Sequence, residues 1–106
     1  MAATATIFTI IDDTIQGICV HGDSFDDCLE DVLNDNYFIH DDVVSIINKG
    51  SAIYIGETVD ECEFYCDELG TPIEIYEASS IEEFLDEYGE TTNFFFDPDT
   101  ETWQVH

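Results

Sequence analysis

The sequence predicts an α+β fold: a small single domain over residues 1–106, with a mostly antiparallel sheet and three to four short acidic helices packed on it. Three observations carry that expectation. β-branched runs flank turn residues near the N-terminus, and alternating aromatics flank a turn near the C-terminus, which gives a hairpin at each end. Between them, Ser or Thr followed three residues later by Asp or Glu recurs ahead of apolar residues at helical spacing. The chain has 106 residues, 44% of them hydrophobic and 13% aromatic, so it can bury one core.

The first hairpin comes from residues 4–11 and 14–21, two β-branched runs separated by Asp12 and Asp13. Ser24 then opens a helix with Asp27 three residues on, and Phe25, Cys28, Leu29, Val32 and Leu33 share one helical face. Residues 41–48 fit a helix ending at Gly50 or a strand; the helix is the favoured reading. The same strand, cap and helix design returns where 52–55 lead into Thr58. Glu61 sits at the capping-box position there, Val59, Cys62, Cys66 and Leu69 point inward, and Gly70 is the stop. It returns again where 72–76 lead into Ser80, with Glu83 at the third position, Ile81, Phe84, Leu85 and Tyr88 inward, and Gly89 as the stop. The spacing of the three units is irregular, which excludes a solenoid. Phe94, Phe96, Trp103 and Val105 around Asp97-Pro98-Asp99-Thr100 complete the closing hairpin.

Against this apolar core stand 26 Asp and Glu, a single Lys (Lys49) and no Arg, for a formal net charge of -25. Phosphates and carboxylates are normally held by Arg or Lys, and DNA binding requires neutralising phosphates with them, so nucleic acid is excluded as a direct ligand. A basic protein surface is attracted instead.

Solvated helix faces ordinarily mix charges of both signs. Here Asp26/Glu30, Asp27/Asp31, Asp60/Glu63/Asp67, Glu61/Glu68, Glu82/Asp86 and Glu83/Glu87 are spaced mainly three or four apart without a cationic partner. Each like-charge pair costs roughly 0.2–0.5 kcal/mol, more than solubility alone requires. Together with Asp35, Glu57 and Glu90 they are the candidate partner-binding residues. Helix-surface neighbours lie about 5–6 Å apart and DNA presents a phosphate about every 3.4 Å along each strand, so the two charge densities are comparable. Adaptation to high salt also favours acidic, Lys-poor chains, but such cores trade bulky aliphatics for smaller residues, and this one is rich in Ile and Phe. Crowding is expected to raise the folded pKa of these carboxylates, so that acid and salt both relieve the repulsion.

Chemistry is conspicuously missing. Asp97-Pro98-Asp99-Thr100-Glu101 lacks the Gly that a calcium loop needs at its sixth position, which Thr102 occupies. Cys62 with Cys66, Cys19 with His21, and Cys28 or His40 do not have zinc spacings, and core thiols are the expected reading. An acidic field raises a thiol pKa, which works against a Cys nucleophile, and there is no phosphate loop or Ser-centred elbow. No enzyme activity, metal or cofactor is expected. No secretory leader pattern or membrane-length apolar run is present, so the chain is expected in the cytoplasm, with reduced thiols and no membrane partner.

With this charge pattern the chain resembles the DNA-mimic inhibitors of phages and mobile elements, namely ArdA-type antirestriction proteins and acidic anti-CRISPR proteins. The most local similarity is to the ArdA type, in Asn36-Tyr37-Phe38-Ile39-His40-Asp41-Asp42 following an acidic helix, less than a tenth of the chain. The resemblance implies stoichiometric inhibition: occupation of the DNA channel of a host restriction or CRISPR complex, in the host cytoplasm, without a reaction. The chain is shorter than the three-domain ArdA proteins, and a homodimer would extend its negative surface. The alternative is an immunity protein or antitoxin that covers the active site of a basic nuclease toxin; a third is an acidic regulatory subunit or a binder of histone-like proteins.

Overall fold

The computed structural model describes residues 3–22, 29–64, 68–69, 75–89 and 92–106. Its centre is a hairpin of β1 (Ala3–Ile11) and β2 (Thr14–Gly22), antiparallel throughout, with Ile7 opposite Ile18 and Phe8 opposite Gly17. Asp12 and Asp13 both take positive φ, 50° and 67°, the geometry of the two-residue turn whose twist matches the flanking strands. Helices α1 (Leu29–Asn36) and α2 (His40–Asn48) follow, then β3 (Ala52–Tyr54), a 3-10 turn at Val59–Glu61 and β4 (Glu63–Phe64). The chain continues with β5 (Ile75–Ala78), α3 (Ile81–Tyr88), β6 (Thr92–Asp97) and β7 (Thr102–Val105).

Among the described residues, seven strands make one mixed sheet, in the order β4-β3-β2-β1-β6-β7, with β5 sharing the outer edge of β2 with β3. This corrects the expectation of a mostly antiparallel sheet: β1 pairs β6 in parallel over Ala5–Thr9, and β2 pairs β3 in parallel at Val20. The physical reason lies in β1, where Ala5, Thr6, Ile7, Phe8 and Thr9 are all buried. A strand buried on both sides needs cover on both sides, and helical crossovers supply it while turning the returning strand parallel. Helices α1 and α2 connect β2 to β3, and α3 connects β5 to β6 across the central hairpin.

Two cores result. On one face Ala5, Ile7, Ile18, Val20, Phe94 and Phe96 pack against Leu33 of α1 and Val43, Ile46 and Ile47 of α2. On the other, Phe8, Ile15, Ala78 and Phe95 pack against Phe84 of α3. The second core depends on a missing side chain: a Cβ on Gly17 would stand 2.6 Å from the Phe8 Cβ and 2.7 Å from the Phe84 Cζ. Phe84 therefore stacks on Phe8 at 4.5 Å between ring centroids, with Tyr88 stacked on Tyr76 at 4.4 Å beside it.

Both hairpins, α2, the Ser80-capped helix and the stop at Gly89 agree with the sequence reading. Residues 41–48 are helical and end on Gly50 at φ 90°, which Gly adopts without strain. The Thr58 unit is a correction. It makes only the 3-10 turn and then runs extended into β4, and Leu69, expected inward, is 90% exposed. Cys62 is held outside any helix: its Sγ lies 3.4 Å from the Tyr37 Oη, accepts from Gly56 N at 3.3 Å and reaches the Thr58 carbonyl at 3.3 Å. The expected start of the first helix at Ser24, with Phe25 and Cys28, lies outside the described residues, as do Cys66, Gly70 and the first residues of the Pro72 strand.

Candidate protein-binding surface

On α3 the apolar residues face the sheet, so the intervening carboxylates of Glu82, Glu83, Asp86 and Glu87 are exposed. The helix start is built by reciprocal bonds. Ser80 Oγ accepts from Glu83 N at 3.1 Å, while Glu83 Oε2 accepts from Ser79 N at 3.2 Å and from the Ser79 hydroxyl. The glutamate thus reaches one residue beyond the cap that a capping box would use. The Ser79 hydroxyl and then its N–H hold the Glu83 carboxyl below its ordinary value of 4.5, the reverse of the rise expected from crowding with Glu87. At the other end of the helix, desolvation first and the Glu87 carboxylate second push the Tyr88 phenol up.

The remaining described candidates lie elsewhere. Asp31 and Asp35 are exposed on α1, opposite the buried Leu33, and Glu30 belongs to the same helix. Glu57, Asp60, Glu61, Glu63 and Glu68 are exposed on the segment that replaces the expected second helix. Glu61 is partly used locally, its Oε2 accepting from Glu57 N at 3.3 Å. Asp26, Asp27, Asp67 and Glu90 lie outside the described residues. The candidates do not share one side of the domain, because α3 covers the sheet face opposite to α1 and α2.

Between the first turn of α2 and the segment before the 3-10 turn is an open cleft of about 200 Å³, lined by Asn36, Tyr37, Asp42, Glu57, Thr58 and Val59. Tyr37 is its floor. The buried hydroxyl donates to the Gly56 carbonyl at 2.8 Å, and burial first, then Cys62 and the charges of Asp42 and Glu61, push the phenol far above its ordinary value. As a donor it clamps the α1–α2 connection to the segment at Gly56. Among the described residues, no three His, Cys, Asp or Glu side chains gather to hold a metal.

A third carboxylate group combines Asp12 and Asp13, Asp97, Asp99 and Glu101, and Asp41 and Asp42, none of them among the candidate partner-binding residues of the sequence. β1 and β6 run parallel with Thr9 beside Phe96, so their following turns lie at the same end of the sheet. Exposed Asp12 and Asp13 occupy one, and exposed Asp99 and Glu101 with half-buried Asp97 occupy the other. The start of α2 is brought to that end by His40, whose Nε2 donates to the Ile10 carbonyl at 2.8 Å, which places exposed Asp41 and Asp42 there. The signal was present as two Asp-rich turns, but only parallel pairing makes them neighbours.

No protein-family profile, curated protein or solved structure matches this chain. No helix among the described residues is long and apolar enough to cross a membrane.

Proposed function

We propose that this domain is a DNA-mimic inhibitor that occupies the DNA-binding channel of a host restriction or CRISPR complex, blocks DNA binding stoichiometrically in the cytoplasm and performs no reaction. The observation that carries this reading is exposed carboxylate on both helical layers and on one end of a mixed seven-stranded sheet, in a chain with one Lys and no Arg. One cation cannot neutralise 26 carboxylates, so the field is available to an external basic partner. Charge on opposite faces suits a channel that closes around a duplex, whereas an immunity protein covering one active site engages a single face. Acidic rows on α1 and α3 stand in for phosphates, and a basic channel gains the same long-range attraction it has for DNA.

Charge reversal on α3 tests this. Glu82→Lys, Asp86→Lys and Glu87→Lys are combined and Glu83 is left in place, because its carboxylate holds the helix start at Ser79. Inhibition of DNA binding by a purified restriction or CRISPR complex is expected to weaken by about tenfold or more, with the melting temperature not lowered. Unchanged inhibition removes α3 from the contact surface.

A further inference from the structure

Phe38 and Ile39 form the connection between α1 and α2, and both are large, apolar and exposed, at 52% and 47%. Single exposed apolar residues are ordinary on protein surfaces. These two are adjacent in sequence, and the chain on either side of them is pinned. Before them, Tyr37 is buried, its hydroxyl donates to the Gly56 carbonyl, and its own carbonyl accepts from the Trp103 Nε1 at 2.8 Å. After them, His40 donates to the Ile10 carbonyl and lays its ring against Phe96, with centroids 6.2 Å apart. Three strands, β1, β6 and β7, and the backbone at Gly56 thus hold a two-residue apolar projection in place, so its ordering cost is met before any partner arrives.

The setting of the pair identifies its partner. It stands at the end of the sheet where Asp12, Asp13, Asp41, Asp42, Asp99 and Glu101 are exposed. Apolar residues that share one end of a domain with charged ones supply the two components of an energetic anchor and its polar rim. The sign of this rim repels acidic partners, among them a second copy of a chain carrying a formal charge of -25. We infer that Phe38 and Ile39 are an apolar anchor that inserts into a recess of a basic protein surface, with the carboxylates of the two turns and of the α2 start pairing with cations around it. The inference rests on the basic-partner reading above and adds where apolar contact is made.

The test uses the whole chain and two synthetic probes: a lysine-rich peptide with phenylalanine at intervals, and the same peptide with glycine replacing each phenylalanine. Affinities are measured at low salt by titration calorimetry for the wild-type chain, for Phe38→Ser combined with Ile39→Ser, and for Phe38→Ser alone as a milder change. The melting temperature of each variant confirms its fold. Expected is a loss of about tenfold in affinity for the phenylalanine peptide in the double variant, with the glycine peptide unaffected. Equal affinities of wild type and both variants for the phenylalanine peptide overturn the anchor while leaving the basic-partner reading in place. Failure of the wild-type chain to bind either peptide overturns both.

Discussion

Thr58-Val59-Asp60-Glu61 and Ser80-Ile81-Glu82-Glu83 carry the same local signal, yet one makes a single 3-10 turn and the other a full helix. Both caps are extended, Thr58 at φ -130° and Ser80 at φ -150°, and in both the glutamate reaches back to a backbone N–H one residue before the cap. The difference begins with the cap itself. Ser80 Oγ accepts from Glu83 N, whereas Thr58 makes no side-chain cap bond. It is completed by the next residue. Phe84 finds a buried seat on Phe8 over Gly17, while Cys62 is engaged by Tyr37, Gly56 and Thr58 and turns the chain into β4. Caps start a helix; an apolar seat continues it.

Removing the seat is the strongest way to break that contrast. Gly17→Ala places a methyl group against Phe8, Phe84 and the Ile7 carbonyl, and is expected to cost about 3 kcal/mol. Urea unfolding monitored by circular dichroism reads this as a lower midpoint with lost helical signal. An unchanged midpoint would mean that α3 is not seated through Gly17. Next in size is Tyr37→Phe, which leaves the Gly56 carbonyl without its buried donor and is expected to cost roughly 1–2 kcal/mol in the same measurement.

The caps themselves give a smaller, paired effect. Ser80→Ala should destabilise by about 1 kcal/mol, and Thr58→Ala by no more than about 0.5 kcal/mol. Equal losses would show that both caps work and that the contrast lies wholly in packing. The smallest effect is in acid. Because the folded Glu83 pKa is depressed, its contribution is fully present above the ordinary carboxylate value of 4.5 and is lost as pH falls through the lower folded value. The melting temperature of Glu83→Gln should therefore approach that of wild type on acidification through this window; a constant gap would contradict the Ser79 bonds.

What was legible in the sequence follows the same division between local and distant causes. The Asp12-Asp13 turn, the Ser80 cap with its Gly89 stop, and the closing hairpin are encoded within a few residues, and each was readable. The parallel partnership of β1 with β6 joins residues far apart in the chain, and no local pattern states it. A hint was available: Ile7-Phe8 and Phe94-Phe95-Phe96 are continuous apolar runs, the mark of strands covered on both faces. The Thr58 segment misled because Cys62-Glu63-Phe64 alternates in the period of a strand while its cap and its spacing to Cys66 and Leu69 suggest a helix. For the candidate surface, exposure of Glu82, Glu83, Asp86 and Glu87 was foreseeable from the apolar stripe of α3. The cluster at the sheet end, which Phe38 and Ile39 share, required the topology.

Competition against DNA tests the central claim most directly. A fluorescent duplex is bound to a purified restriction complex and, separately, to a CRISPR effector at low salt, and the wild-type chain is titrated in. The account predicts displacement of the duplex from one of these complexes at a fixed ratio of domain to DNA channel, weakening as salt rises. A duplex that remains bound in both complexes at a large excess of the domain would contradict it.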